Sequence, residues 1–130
     1  MVNREDIESF LLRAEVEFEE IESGLWLAHP SADEPRGEPG VVVRYEPPVV
    51  VLHSRIRVAP EEDEAQLNLY ARLLELNAID LVHGAYGLEN GEVILSDTLE
   101  LENLQFSEFR ASLESLTLAV VSHWQELSTD

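Results

Sequence analysis

The chain has 130 residues and no cysteine, which leaves no disulfides, thiolate metal sites or cysteine nucleophiles. Aspartate and glutamate number 27 against eight basic residues, a formal charge of −19, and all eight basic residues are arginine. A field of that sign repels phosphate backbones and argues against direct nucleic-acid binding, while the lack of lysine removes P-loop and Schiff-base chemistry. Apolar residues make up 45% of the chain, ordinary for one globular domain large enough to bury a core. The opening MVNREDIESF carries acids where a secretory signal needs a basic patch and an apolar run, and no apolar stretch approaches the roughly 20 residues of a membrane span. The expectation is a cytoplasmic protein with no membrane or nucleic-acid partner.

Asn3 caps a first helix, with Asp6 in its first turn and Ile7, Phe10, Leu11 and Ala14 at helical spacing. Val16–Ile21 alternates loosely and either extends that helix or enters a strand. Gly24 breaks it, and Leu25–Ala28 reads as a short strand containing Trp26. Positions 30–40, PSADEPRGEPG, read as a mobile loop, rich in proline, glycine and charge. Two β-branched runs follow, Val41–Glu46 and Val49–Val58, separated by Pro47-Pro48. Two prolines lack the N–H that a ladder needs, so they mark a turn. In the second run Val50, Leu52, Ile56 and Val58 share one face, and His53, Arg55 and Arg57 share the other.

Pro60 and the acids Glu61, Glu62, Asp63 and Glu64 form a helix start, the acids opposing the positive end of the macrodipole. Leu67, Tyr70, Leu74 and Ala78 make the main stripe of this middle helix, widened by Ala71 and Leu73, and Asn77 suits a left-handed stop. Asn90-Gly91, between Tyr86–Leu88 and Val93–Leu95, signals a tight hairpin because both residues tolerate positive φ. Ser107 caps a last helix carrying Phe109, Leu113, Leu116, Val120, Trp124 and Leu127. The predicted order is α-β-β-β-α-β-β-α, an α+β single domain without internal repeats.

Chemistry is nearly absent from this pattern. There is no GxSxG, GxxxxGK[ST], GxGxxG or HExxH, and with 27 acids neighbouring carboxylates carry no information. The histidines His29, His53, His83 and His123 lack ligand-like spacing. A metal site assembled from His53 and His83 competes poorly with two ordinary strand histidines, so no metal, cofactor or catalytic residue is expected. Trp26, Tyr70, Tyr86, Phe106, Phe109 and Trp124 read as core, while Trp26 and Tyr45 sit beside the loop and the proline turn, where a partner anchor would also fit. Surplus apolar residues, Leu69 and Leu76 on the middle helix and Leu118 and Val121 on the last, point either to a subunit contact or to packing under the first helix.

Three segments carry a resemblance: LLELN closing the middle helix, the hairpin HGAYGLENGEVIL, and LELENL running into the last helix, all within or just beyond Leu67–Leu104. With the element order, they make the chain resemble the type III secretion chaperone-like superfamily, and within it the YbjN (CesT/Tir chaperone-related) group. The resemblance implies an antiparallel sheet packed by helices and a non-catalytic, chaperone-like module that holds a partner polypeptide. A regulator of signal transduction that docks a defined folded partner is the competing reading, with an enzyme third.

It further implies a homodimer, for which Leu69, Arg72, Leu73 and Leu76 are the expected contacts. The expected client is a protein segment with basic and apolar residues. It would meet the face bearing Val42, Arg44, Val51, His53, Arg55 and Arg57 and the strand edges beside Pro47-Pro48.

Overall fold

The computed structural model describes residues 1–29 and 37–129. The first helix, α1 (Arg4–Arg13), starts as its sequence dictates: Asn3 accepts from the Asp6 N–H at 2.8 Å while Asp6 accepts from the Asn3 N–H at 2.9 Å, a reciprocal cap. Glu15 adopts a left-handed conformation, φ 59°, which ends the helix and turns the chain into β1 (Glu17–Glu22). The stretch that the sequence left open between helix and strand is therefore a strand, and it is the one addition to the predicted order. β2 (Leu25–His29), β3 (Val41–Glu46) and β4 (Val49–Val58) continue the meander. The helix α2 (Asp63–Ile79) leads to the hairpin of β5 (Ala85–Glu89) and β6 (Glu92–Glu100), and α3 (Phe106–Leu127) closes the chain. The loop read at 30–40 lies, over 30–36, outside the described residues.

All strand pairs are antiparallel, and the sheet order is β1-β2-β3-β4-β6-β5. The hairpin turn holds Asn90 at φ 51° and Gly91 at φ 78°, the two positive values that a right-twisted two-residue turn demands. Period-two alternation sends Val43, Val50, Leu52, Val93 and Leu95 to one face of the sheet, where they join Ile7 and Leu11 of α1, Leu73 and Leu76 of α2, and Phe109, Leu113, Leu116 and Val120 of α3 in a single core. Ser112 of α3 donates to Asp97 of β6 at 2.7 Å across this inner face. Fully burying one such side chain contributes about 1.5–3 kcal/mol, so this face carries most of the hydrophobic stabilisation.

Three local expectations are corrected. The last helix begins at Phe106, not after Ser107, because the Gln105 N–H is taken by the Glu108 carboxylate at 2.9 Å. Asn77 does not stop α2. Its amide instead exchanges two hydrogen bonds with the Tyr86 backbone, 2.7 Å from the Tyr86 N–H to Oδ1 and 3.1 Å from Nδ2 to the Tyr86 carbonyl. With those bonds in place Leu73 and Leu76 face inward and Tyr70 packs against the core, as the stripe predicted for Leu73 and Tyr70, but Leu67 and Leu74 are each 69% exposed. Trp26 is fully buried, in keeping with its reading as core, and the alternative of a surface anchor falls away.

Candidate docking surface

The second face of the sheet has no helix over it among the described residues. The register fixes its rows. Leu25 lies beside Arg44, which faces Val51 and then Thr98; Leu27 lies beside Val42, which faces His53, Ser96 and Ala85; Arg55 faces Ile94 and Gly87. Five of the residues expected to meet a partner, Val42, Arg44, Val51, His53 and Arg55, thus share this open face. Valine, leucine and isoleucine at its centre are half-buried only by their neighbours on the sheet.

Arg44, Glu46, Val51, His53, Arg55, Glu89, Ile94 and Ser96 line a groove of about 240 Å³ here. That is below the ~300 Å³ at which drug-sized pockets begin, and it fits one or two side chains. Arg55 is held over the β5–β6 hairpin by Glu92 at 2.9 Å and Glu89 at 3.4 Å. His53 has its pKa lowered, first by burial and then by Arg44 and Arg55, with Glu89 opposing. At neutral pH the groove therefore holds a neutral imidazole between two guanidinium groups. Ile94, Ser96 and Glu89 were missed in the sequence, although alternation outward from the buried Val93 and Leu95 would have found the first two.

Arg57 does not belong to this face. The β4–β6 register slips between Arg55 and Arg57, so Arg57 pairs with the inward residue Val93. The extra residue swings Arg57 to the helix side, where its guanidinium donates to the Val58 carbonyl at 2.9 Å and to the Leu127 carbonyl at the end of α3 at 3.4 Å. The same slip leaves Val58 exposed. Nor are the strands beside Pro47-Pro48 edge strands: β3 pairs with β2 over Val41–Arg44 and with β4, β4 pairs with β3 and β6, and the sheet ends at β1 and β5. The outward backbone of Tyr86 on β5 is already occupied by Asn77.

The residues expected at a dimer contact also divide. Leu73 and Leu76 are 5% and 1% exposed, buried within the chain itself, and cannot be surface contacts without unfolding it. Leu69 is half-buried beside Arg57 and Arg72 in a shallow depression, and Arg72 is tied to Glu126 of α3 at 2.6 Å. The exposed apolar line of α2 is Leu67, Ala71, Leu74 and Ala78; on α3, Leu118 and Val121 are exposed as well.

A polar chain on the helix side runs from the buried Tyr86 and His123 out to the exposed Asp80. The Tyr86 hydroxyl lies 2.7 Å from His123 Nδ1, and His123 Nε2 lies 2.6 Å from Asp80 Oδ2. Burial, then Asp80 and Glu126, raise the Tyr86 pKa above its ordinary value, so the hydroxyl is not activated. The chain ties β5, α3 and the end of α2 together. His123 stands three residues after Val120 and four before Leu127, a spacing that marks it as inward-facing in the sequence alone. His53 and His83 are not brought together: His53 is on the open face, and the His83 N–H donates to Ser115 Oγ of α3 at 3.1 Å. Among the described residues no group of three histidine or acidic side chains is placed to hold a metal, and no helix is long and apolar enough to cross a membrane.

The CesT_Tir_1 family model matches residues 2–129, and the chain belongs to that family. No curated protein matches the sequence. Among solved structures the fold is similar to a chain of the heterodimeric ExoU–SpcU complex from the type III secretion system of Pseudomonas aeruginosa, at 13% identity, a TM-score of 0.62 and 94% of each chain covered. It is similar to YbjN from E. coli at 14% identity and a TM-score of 0.62, covering 95% of this chain and 92% of that one. A chain of the ExsC–ExsE complex matches at 16% identity and a TM-score of 0.53, with 98% and 97% covered. At these identities the likeness is one of fold.

Proposed function

We propose, from membership of this family and from the open face of the sheet, that the protein is a non-catalytic, chaperone-like module that binds a partner polypeptide. The observation that carries the reading is the asymmetry of the sheet. One face is sealed by three helices, while the other presents a concave groove with an apolar floor at Val51 and Ile94. Valine and isoleucine clustered on an open sheet face form a contiguous apolar surface, and such surfaces mark interaction sites. A chain of similar fold occurs in the HopA1–SchA chaperone–effector complex, which supports a polypeptide as the partner.

The charge of −19 steers partners with basic stretches toward the molecule, and that steering weakens as salt shortens the Debye length from about 10 Å at 0.1 M. Apolar contacts in the groove persist. Affinity capture from native lysate at low and high salt, with the wild type and with Val51→Glu, tests the reading. The expected result is a partner whose recovery falls with salt without vanishing and is lost in the variant. Equal recovery under all four conditions contradicts it, and a single stoichiometric folded partner would favour a docking regulator.

A homodimer is the second element of the proposal, now resting on the exposed line Leu67, Ala71, Leu74 and Ala78 of α2 rather than on Leu73 and Leu76. Light scattering at high micromolar concentration should give twice the monomer mass, and Leu74→Glu should halve it. A monomer mass in the wild type contradicts this element.

A further inference from the structure

The open-face groove holds one arginine that stands outside the ion pairing of the rest of the chain. In a chain with 27 acids and eight arginines every arginine has carboxylates to choose from. Arg4, Arg55, Arg72 and Arg110 are indeed held by glutamates. Arg13 lies over the Phe106 ring at 4.1 Å, and Arg57 is engaged at the carbonyls of Val58 and Leu127. Among the described arginines Arg44 alone has no ion pair, hydrogen bond or ring contact, and it lies on the groove wall, one strand from Val51 and diagonal to His53.

The fixed charge of Arg55 stands at the other end of the same groove. Opposite Ile94 sits Gly87, where a Cβ would meet nothing within 4 Å, so the backbone of β5 leaves room for an incoming chain. A concave wall of low polarizability strengthens the interaction of an unpaired guanidinium with an anion relative to open water. A planar guanidinium matches a carboxylate in two parallel hydrogen bonds.

We infer that this groove is a carboxylate-binding subsite: it takes an aspartate or glutamate that lies between apolar residues of an extended partner segment, with Arg44 as its ligand and Val51 and Ile94 under the flanking side chains. The inference rests on the proposed docking role of the open face and names the chemistry of its occupant. It reverses the charge expected of the client at this one position. Basic residues of the same partner fall beside Glu46, two residues from Arg44 on the groove wall, and toward Glu19 on β1, which repel a second carboxylate and attract a cation. A partner read by this face therefore carries an acidic centre with basic flanks, and Arg44 sets the register.

The test uses the full chain and three blocked pentapeptides, Thr-Val-X-Val-Thr with X as Asp, Asn or Arg, titrated by amide NMR. The expected result is shifts at Val51, His53 and Ile94, with the Asp peptide binding about tenfold tighter than the Asn peptide, the scale of a charge-assisted hydrogen bond. Arg44→Glu, an exposed substitution, should leave the remaining spectrum unchanged and invert the order so that the Arg peptide binds best.

Shifts on this face with no preference among the three peptides would overturn the carboxylate subsite while the docking face stands. Absence of any shift, together with partner capture unaffected by Val51→Glu, would overturn both. Loss of self-association in Arg44→Glu would mean that a second copy supplies the carboxylate, and would overturn a separate partner as the occupant.

Discussion

Along β4, neighbouring side chains live in two environments. Val50, Leu52, Ser54 and Ile56 are buried under the helices, while Val51, His53 and Arg55 face outward on a surface that no described element covers. Composition hardly distinguishes the two sets at Val50 and Val51. What separates them is the alternation of the strand and the decision of α1, α2 and α3 to pack on the same side. The comparison teaches that the inner face specifies the fold and the outer face is free to specify a partner. A substitution inside should register in stability, and one outside in binding.

The largest break in that comparison is Leu116→Asp. Leu116 is fully buried in the core on α3, so an unpaired charge there should cost at least about 3 kcal/mol. Thermal unfolding checks it, and an unchanged Tm would remove α3 from the core. Next comes the contrast across α2. Leu76→Ala should cost about 2–5 kcal/mol, whereas Leu74→Ala, on the exposed side, should stay within about 0.5 kcal/mol in denaturant titration of the monomer. Equal losses would mean that α2 is turned differently about its axis.

Tyr86→Phe sharpens the picture at the edge of the core. It leaves the buried His123 Nδ1 without its partner and should cost about 1–3 kcal/mol. The wild type should also lose stability as pH rises above about 10, because the raised folded-state pKa means that the unfolded chain releases the Tyr86 proton first. That alkaline slope should flatten in Tyr86→Phe.

The smallest effect belongs to the open face. His53 has a folded-state pKa below 6.5, so the unfolded chain binds its proton first. Stability is complete above 6.5 and declines as pH falls below it, until the folded-state value is passed. His53→Gln should remove that acid slope without shifting Tm at neutral pH.

How much of this was readable in the sequence follows from which signals are local. The stripe of α3, the Asn3 cap, the proline turn and the Asn90-Gly91 hairpin depend on residues close in the chain, and all are present in the structure. The open-face cluster of Val42, Arg44, Val51, His53 and Arg55 followed from period two. Arg57 was misplaced because a bulge inserts one residue, and nothing in a run of β-branched and basic residues announces where the ladder slips. The orientation of α2 was misread because leucines occupy both of its sides, and the choice was made at a distance by Asn77 and the backbone of β5. The groove walls needed β6 to be placed beside β4, a non-local pairing across α2.

The account stands on the open face being where the partner lies. Methyl NMR of the protein, alone and saturated with the partner it captures, measures that directly. The account predicts that Val42, Val51 and Ile94 shift and broaden on binding while Leu67, Leu74 and the buried Leu116 hold their positions. Changes confined to Leu67 and Leu74 on α2, with Val42, Val51 and Ile94 unmoved, would contradict it and place the partner on the helices instead.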